Sequence, residues 1–367
     1  MTSILVLNWR DICNPARGGA ELYTHQIFSR LAKNFDKQVT IFTSSFDSSK
    51  PEDYLDGVHI VRRGDRFSIY REARRYYRQN KGKFDLVVDE INTRPFLTPQ
   101  YVKDRPIIAL IHQLAREYWW YETPFPINLV GYYYLEKRWL KNYQAIPTIT
   151  VSDSTAKDLG ELGFSNVSIV HNGIPTITQG EVNQRGSVPT LIFVARFRKV
   201  KRPLDAIKAF KMVSKDARLI MIGDGPLREG LQTEHESDKI RFLGAVSDEE
   251  KNNLLSSSHV HLAPYLREGW GNSVMEAACV GTPSVGYDTQ GLRDSILDGK
   301  TGYLVEKFRV DLMAEKIDSI ISDPNILERM SRSCIEWSRN FSWDKSAQQF
   351  NNLVEMTITD WKRRAHY

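Results

Sequence analysis

Short runs of apolar, often β-branched residues alternate along this chain with longer stretches whose apolar residues recur at helical spacing. In the first half, Ala20, Tyr23, Ile27 and Leu31 follow one another at spacings of three, four and four, which predicts one face of a helix. Nearly continuous apolar strands separated by helices indicate a parallel sheet covered on both faces. The runs that predict strands here are 4–9, 38–43, 58–61, 84–89, 106–111, 147–151 and 167–170.

The alternation pauses at residues 176–189, a polar stretch with two glycines and no periodicity, which predicts a linker. It then resumes, so the sequence predicts an α/β protein of two doubly wound Rossmann-like domains of similar size. We expect ligands at the carboxyl ends of the strands, in a cleft between the domains. The strands predicted in the second half are 190–195, 218–223, 240–243, 259–264, 283–287 and 303–305.

Composition agrees with a soluble globular protein, since 41% of the 367 residues are apolar and 26% are charged. The three cysteines, Cys13, Cys279 and Cys334, are far apart and form no CxxC pair, which predicts a reducing compartment and no zinc site. No apolar run approaches the roughly 18 residues of a membrane span, and the N-terminus does not resemble a signal peptide. We therefore expect a cytoplasmic protein.

Charge is distributed unevenly along the chain. Residues 62–83 contain nine Lys or Arg against two acids, a net of +7, so the rest of a chain with net charge +5 sums to −2. Aromatic residues are interleaved there and in a second concentration at 118–143, which includes Trp119 and Trp120. The segment is expected to hold the protein to the cytoplasmic face of an anionic membrane. The alternative is a solvated helix face with its aromatics in the core. The arginines that gather on one side of the predicted helix are Arg71, Arg74, Arg75 and Arg78.

The strongest motif, REGWGNSVMEAA, occupies residues 267–278 and follows a predicted strand. Its glycines open a helix, where backbone N–H groups and the helix dipole favour an anion such as a pyrophosphate. Glu268 in the loop and Glu276 in the helix are two-oxygen acceptors suited to the vicinal diols of ribose or a hexose. Glu276 alone could equally be a first-turn residue that complements the helix dipole. The residues concerned are Glu268, Gly269, Gly271, Asn272, Ser273 and Glu276.

The motif resembles the E-G-x-G-x-x-x-x-E-A signature of retaining, family-4-type glycosyltransferases of the GT-B fold. Further matches occur in the family's order, and together they cover nearly the whole chain. Departures are Ala195 and Arg202, where the family usually has Gly, and Gln290 and Asp294 in an altered G-G-x-x-E; these leave the donor preference open. The further matches are GGAE (18–21), HNGI (171–174), VARFRKVKRP (194–203), IGDGP (222–226) and 279–305.

The resemblance implies an N-terminal acceptor domain (1–178), a C-terminal nucleotide-sugar domain (188–344) and a last helix (345–367) that crosses back to the first domain. It implies that Arg196 and Lys201 hold the donor diphosphate, although a solvated basic loop is the plain alternative. His112 would reach the donor sugar and Glu268 would orient the anomeric carbon. Backbone groups at Gly18, Gly19 and Gly225 would complete the donor site. Asp153 and Ser152 could lie near the site or simply cap the helix that follows.

The expected donor is a UDP- or GDP-linked hexose and the expected acceptor a lipid-linked or membrane glycan. No aspartate has a second aspartate two residues away, so no Asp-x-Asp metal motif is present and we expect catalysis without metal or cofactor. A nucleotide-sugar 2-epimerase of the same architecture, a soluble acceptor and a non-catalytic sensor stay open. A nicotinamide dehydrogenase lacks its GxGxxG loop, and no nucleic-acid module surrounds the basic segment.

Overall fold

The computed structural model describes residues 1–174 and 185–365. Contacts divide the chain into two compact units. The first comprises Met1–Ala115, Leu129–Gly173 and Trp343–Tyr367, and the second comprises Arg116–Asn128 and Ile174–Ser342. Residues 175–184, which include most of the predicted linker, lie outside the described residues.

Strands and helices alternate in both units. The strands are β1 (Thr2–Leu7), β2 (Lys37–Thr43), β3 (Glu52–Leu55), β4 (Val58–Arg62), β5 (Leu86–Glu90), β6 (Ile107–Ile111), β7 (Thr148–Thr150), β8 (Val167–Ile169), β9 (Thr190–Val194), β10 (Arg218–Ile222), β11 (Ile240–Gly244), β12 (Val260–Ala263), β13 (Ser284–Tyr287) and β14 (Gly302–Val305). The helices are α1 (Gly19–Asn34), α2 (Ile69–Gln79), α3 (Glu117–Glu122), α4 (Ile127–Val130), α5 (Glu136–Leu140), α6 (Asp153–Glu161), α7 (Pro203–Met212), α8 (Arg228–His235), α9 (Asp248–Ser257), α10 (Asn272–Cys279), α11 (Leu292–Ser295), α12 (Val310–Ser322), α13 (Pro324–Ser338) and α14 (Trp343–Ala365).

The first unit is built on an eight-stranded sheet in the order β3-β4-β2-β1-β5-β6-β7-β8. All neighbouring strands pair in parallel except β3 and β4, which form a hairpin. The central strands are buried along their whole length, as in β5 and β6, because helices cover both faces. Every strand predicted in this half is present, and β3 is the addition.

The second unit contains a six-stranded, fully parallel sheet in the order β11-β10-β9-β12-β13-β14. Its core includes side chains that are completely buried, among them Phe193 on β9, Met221 on β10 and Ile317 on α12. The predicted α/β fold of two doubly wound Rossmann-like domains is confirmed. The order of strands brings the ends of β9, β12 and β13 next to one another, which is where the chemistry-bearing loops begin.

Residues 116–128 were expected in the N-terminal domain, but their contacts group them with the second unit. The cause is a set of specific bonds made by the acidic residues of α3. Glu117 forms an ion pair with Arg267 at 2.9 Å, and Glu122 accepts a hydrogen bond from the backbone N–H of Val200 at 3.3 Å. Tyr118 and Tyr121 add apolar packing against the core of the same unit.

Helix α14 returns to the first unit at the end of the chain and packs along α1. Its buried residues recur at helical spacing, and Phe350 meets Phe28 of α1 edge to face, with ring centroids 5.2 Å apart. Trp343 contacts Tyr23 in the same way at 5.9 Å. The buried face consists of Trp343, Ala347, Phe350, Val354 and Ile358.

Phe350→Ala should lower the free energy of unfolding by about 3–5 kcal/mol, because it opens a cavity in a core that α1 and α14 share. Met356 lies on the same helix but is 60% exposed, so Met356→Ala should cost about 0.5 kcal/mol or less. Chemical denaturation of both variants measures the difference. Equal losses would mean that α14 contributes no core to this unit.

Candidate functional site

The loop after β9 carries the predicted diphosphate-binding residues of the second unit. A short 3-10 turn, Lys199–Lys201, follows Arg196, and Arg202 then adopts φ of 51° before Pro203 begins α7. The turn after β10 clamps this loop, because the N–H of Phe197 donates to the carbonyl of Asp224 at 2.9 Å. The backbone of the basic loop is therefore anchored to the rest of the unit. The sequence alone also allowed a loop that is simply solvated.

Two glycines make that clamp possible. Gly223 has φ of 126°, and a Cβ there would lie 2.0 Å from the carbonyl oxygen of Ala195. Gly225 has φ of 150°, and a Cβ there would lie 2.8 Å from the carbonyl oxygen of Phe197. A side chain at either position would push the loop away. Gly225 therefore allows the backbone of the loop that carries Arg196 to approach closely. Its predicted contact with the donor stays a prediction.

Lys201 and Glu268 meet at the ends of β9 and β12, where the Lys201 ammonium donates to Glu268 Oε1. Lys201 also lies over the ring of Tyr265, 4.7 Å from its centroid. Burial, then Arg196 and Arg198, lower the pKa of Lys201 to about 7. The Glu122 carboxylate acts in the opposite direction and favours the charged ammonium.

Glu268 owes its position to Gly291, which follows the next strand of the sheet. Gly291 has φ of 79°, and a Cβ there would lie 2.5 Å from the carbonyl oxygen of Glu268. Gly271, with φ of 86°, is the residue before α10, where a Cβ would lie 2.8 Å from Ser295 Oγ. Gly269, which follows Glu268 in the motif, is also buried. These glycines leave room for the backbone of Glu268, which lies four residues before the start of α10.

The first turn of α10 contributes Asn272 and Ser273. Ser273 Oγ lies 3.1 Å from the hydroxyl of Tyr265, which itself donates to the carbonyl of Val194 at 2.9 Å. Tyr265 therefore connects β9, the Lys201 ammonium and the start of α10. This tyrosine could not be singled out from the sequence, because its role depends on which loops are neighbours.

Glu276 has a partner that the sequence analysis missed. Lys251 of α9 approaches both of its carboxylate oxygens, at 3.1 and 3.2 Å, and also Asp248 at 2.9 Å. Burial raises the pKa of Glu276, and Lys251 opposes that rise. Burial acts against the charge of Lys251, but Glu276 and Asp248 raise its pKa overall. Glu276 is the fifth residue of α10, beyond its first turn, so the first-turn alternative does not describe it, and its carboxylate is held in an ion pair.

His112 lies at the end of β6 in the first unit and is 8% exposed. Its Nε2 lies 3.2 Å from Glu90 Oε1, and its ring meets Tyr23 edge to face with centroids 5.0 Å apart. Near the start of α1, the N–H of Gly18 donates to Glu21 Oε2 at 2.6 Å, and Glu21 also accepts from Arg10 Nε at 2.9 Å. The Gly18–Gly19 loop is thus held by its own helix.

Helix α2 presents the four predicted arginines on one exposed face, where they line an open concavity of about 490 Å³. Within the described part of the chain, Arg71 has an ion pair with its neighbour Glu72 at 3.5 Å, and Arg74 lies over the ring of Tyr101. No ion pair of Arg75 or Arg78 occurs among those residues. The face carries positive charge that its surroundings leave largely uncompensated.

The aromatic side of the membrane prediction needs correction. Tyr76 and Tyr77 are buried in the core under α2, and Trp119 is 7% exposed because it packs within the second unit. Trp120 is 40% exposed, and Phe125, Tyr133 and Tyr134 of the same predicted stretch are more than half exposed. Arg62 does not belong to the surface charge either, since it is buried in an ion pair with Asp11 at 2.7 Å.

Three further observations complete the comparison with the sequence. Ser152 caps α6 by accepting from the N–H of Thr155 at 3.3 Å, so the capping alternative for this segment is confirmed. Among residues 1–174 and 185–365, no three His, Cys, Asp or Glu side chains are grouped as metal ligands would be. No helix in those same ranges combines the length and apolarity needed to cross a membrane.

Comparisons with known families match both halves of the chain. The profile described as glycosyltransferase family 4 matches residues 17–177, and the profile described as glycosyl transferases group 1 matches residues 177–337. The N-acetyl-alpha-D-glucosaminyl L-malate synthase of Bacillus anthracis is 31% identical over 47% of this chain and 46% of its own length. The phosphatidyl-myo-inositol mannosyltransferase of Mycobacterium leprae is 25% identical over 70% of this chain and 69% of its own length.

Solved structures match over the whole chain at lower identity. Sucrose-phosphate synthase from Thermosynechococcus elongatus has a TM-score of 0.79 at 18% identity, covering 98% of this chain and all of that one. The Anabaena protein HepE, solved in complex with UDP-glucose, has a TM-score of 0.73 at 15% identity, covering 97% of this chain and all of that one. Both establish a shared fold.

Lys251→Met should destabilise the protein by about 1–3 kcal/mol near pH 7, because it leaves the Glu276 carboxylate buried without its cation. The folded pKa of Glu276 is raised, so this carboxyl is protonated in acid, and the loss should nearly vanish at about pH 4 and grow as pH rises through that pKa. Urea denaturation at several pH values measures it.

The matched control is Lys251→Met in a Glu276→Gln background. Here the cation is lost but no buried carboxylate remains, so the pH dependence should disappear. A penalty that stays constant across the pH range in both backgrounds would assign Lys251 to packing alone.

Proposed function

We propose, from the premise that this chain belongs to the family 4 glycosyltransferases of the GT-B fold, that it transfers a hexosyl unit from a nucleotide sugar to an acceptor with retention at the anomeric carbon. The observation that carries the proposal is the Lys201–Glu268 pair, which Tyr265 connects to Ser273 in the first turn of α10. It sets a cation, a carboxylate and a helix N-terminus at neighbouring strand ends, as a charged leaving group attached to a sugar requires.

The chemistry assigns a task to each group. Transfer breaks the bond between the anomeric carbon and the β-phosphate oxygen, so negative charge grows on the diphosphate. Arg196 and Lys201 stabilise that charge, which removes the need for a metal. Glu268 accepts hydrogen bonds from the sugar hydroxyls, and His112 contacts the same sugar. The acceptor oxygen attacks on the face that the diphosphate leaves, and its proton passes to the leaving phosphate.

Glu276 accepts the ribose hydroxyls of the nucleotide in this proposal, and Lys251 keeps its carboxylate charged for that purpose. Relatives suggest which donors to test first. A relative from Mycobacterium tuberculosis, 28% identical, is named a GDP-mannose-dependent mannosyltransferase, and the Bacillus anthracis relative is named for an N-acetylglucosaminyl product. GDP-mannose and UDP-N-acetylglucosamine are therefore the first candidates.

The direct test incubates the protein with each nucleotide sugar, with and without a lipid-linked or phosphoinositide acceptor, and measures released nucleoside diphosphate. Transfer predicts release that depends on the acceptor. An epimerase would convert the donor without any acceptor, and none of the relatives quoted above is named as one. A protein that binds nucleotide sugar but converts none would be a sensor, contrary to the proposal.

Arg196→Ala and Lys201→Ala should each lower kcat by roughly 10²-fold or more, because each removes positive charge from the leaving group. The double variant should lose less than the product of the two, since both groups act on one diphosphate. Lys199→Ala is the matched control, because Lys199 is an exposed lysine of the same loop and should retain nearly full turnover. If all three variants behave alike, the clamp is assigned to the wrong residues.

The acceptor side of the proposal concerns α2. The exposed arginine face of this helix binds the anionic surface of the cytoplasmic leaflet, where a lipid-linked glycan acceptor is embedded. Each basic group near such a surface contributes about 1 kcal/mol, and because Tyr76 and Tyr77 are buried, α2 attracts the surface through its charge and not through these two tyrosines. The name of the Mycobacterium leprae relative, which specifies a phosphatidyl-myo-inositol acceptor, is in line with a membrane lipid.

Sedimentation with anionic vesicles at two salt concentrations tests this face. The variant Arg71/Arg74/Arg75/Arg78→Ser should reduce binding at low salt by about tenfold or more, and native binding should weaken as salt screens the charges. A variant that loses the same charge elsewhere should bind like the native protein. If the two variants bind equally, or native binding is insensitive to salt, a soluble acceptor is favoured. The control substitutions are Lys208, Lys211, Lys215 and Lys239→Ser, all exposed.

A further inference from the structure

Glu90 is a completely buried carboxylate beside His112, and the sequence analysis did not single it out. It is the last residue of β5, and β6, the neighbouring parallel strand, ends just before His112. Its side chain has no exposed surface. Burial of a carboxylate at a strand end is costly unless hydrogen bonds compensate for the lost water, so its partners define its role.

Four polar groups surround this carboxylate, two on each oxygen. Oε2 accepts from Asn8 Nδ2 at 2.7 Å and from Thr24 Oγ1 at 2.5 Å. Oε1 faces His112 Nε2 at 3.2 Å and Asn92 Nδ2 at 3.4 Å. The amide of Asn8 cannot be reversed without loss, because its Oδ1 accepts from Asn92 Nδ2 at 3.1 Å. The network therefore presents Glu90 as an acceptor on both oxygens.

We infer that Glu90 is a positioning residue that fixes His112 in the Nε2–H tautomer and so directs the lone pair of Nδ1 toward the substrate. An ionised carboxylate can only accept, so the nitrogen that faces it carries the proton and the other nitrogen is the acceptor. The Tyr23 ring packed edge-on against the imidazole holds the plane of the ring. The inference rests on the proposed function, in which a hydroxyl of the donor sugar donates to Nδ1.

A purely structural role for Glu90 makes a different demand. A structural role alone requires that the polar neighbours of Glu90 keep hydrogen-bond partners, which a neutral Gln could provide in part. It requires no particular tautomer of His112. Burial raises the pKa of Glu90, and His112 is the largest influence that opposes the rise. If Glu90 were protonated instead, its O–H would donate to Nε2 and the tautomer would be reversed. The tautomer itself therefore separates the two descriptions.

The experiment is a long-range proton–nitrogen NMR correlation on the full chain with isotope-labelled histidine, at about pH 8.5, where histidines are ordinarily neutral. His112→Gln identifies the resonance by its disappearance. The native protein should show His112 protonated on Nε2. In Glu90→Gln, the amide oxygen should stay with Asn8 and Thr24, which places the NH₂ group against Nε2 and transfers the ring proton to Nδ1.

The matched control is Asp89→Asn. Asp89 is also buried near the end of β5, but successive strand residues point to opposite faces of the sheet, so its carboxylate lies on the other face from that of Glu90. There it accepts hydrogen bonds from Thr98 Oγ1 and from the hydroxyl of Tyr143. This variant should be less stable, yet His112 should keep its Nε2 proton. A reversal of the tautomer in the control would mean that any disturbance of the strand end has the same effect, which would overturn the assignment.

Activity provides the second measurement. Glu90→Gln should lower kcat by roughly tenfold or more, while the Kd for the free nucleoside diphosphate stays unchanged, because only the sugar contact is altered. Native His112 protonated on Nδ1, or an unchanged tautomer in Glu90→Gln, overturns the inference. If the tautomers behave as expected but the native protein transfers no sugar, the proposed function fails while the control of His112 by Glu90 stands. Should Glu90→Gln fail to fold, the native spectrum still decides the tautomer.

Discussion

A charge removed from water must have a partner, and this requirement organises both units of the protein. The parallel strands are covered on both faces, so polar chemistry is confined to their ends, where side chains are shielded but not sealed. The second unit places Lys201 against Glu268 at such ends, and it pairs Lys251 of α9 with Glu276 of α10. The first unit does the same with His112 and Glu90. In each case the pairing gives a buried polar group a partner and a direction.

The pattern of apolar residues predicted most of the fold because burial on both faces leaves a direct trace in the sequence. Strand β3 was not predicted, because Glu52–Leu55 is a half-exposed edge strand without an apolar run. A signal was nevertheless present. Asp56 and Gly57, with φ of 52° and 84°, join β3 to β4, and an Asp-Gly pair is a strong hairpin indicator. The placement of residues 116–128 could not be foreseen, because it depends on ion pairs with residues more than seventy positions away.

The candidate site was predictable where it is local and unpredictable where it is tertiary. Glycines at 269 and 271 and the acids at 268 and 276 lie within one short motif, and their spacing carries chemical meaning by itself. Lys251 and Glu90 lie on other elements, and nothing near them in sequence indicates that they face Glu276 and His112. The aromatic residues of α2 suggested a contact with the membrane, but Tyr76 and Tyr77 belong to the core. A helix that buries its tyrosines and exposes its arginines has the same composition as a helix that exposes both.

Helix α14 has a consequence for the order in which the protein is made. Its face completes the core around α1, yet it is separated from that helix by the whole of the second unit in sequence. A chain that emerges from the ribosome from its N-terminus can form the sheet of the first unit early, but Phe28 and its neighbours stay uncovered until residues 343–365 have been synthesised. All strands of the second unit are therefore synthesised before the first unit is complete. Until α14 has been made, the apolar face of α1 in the nascent first unit stays uncovered and needs protection.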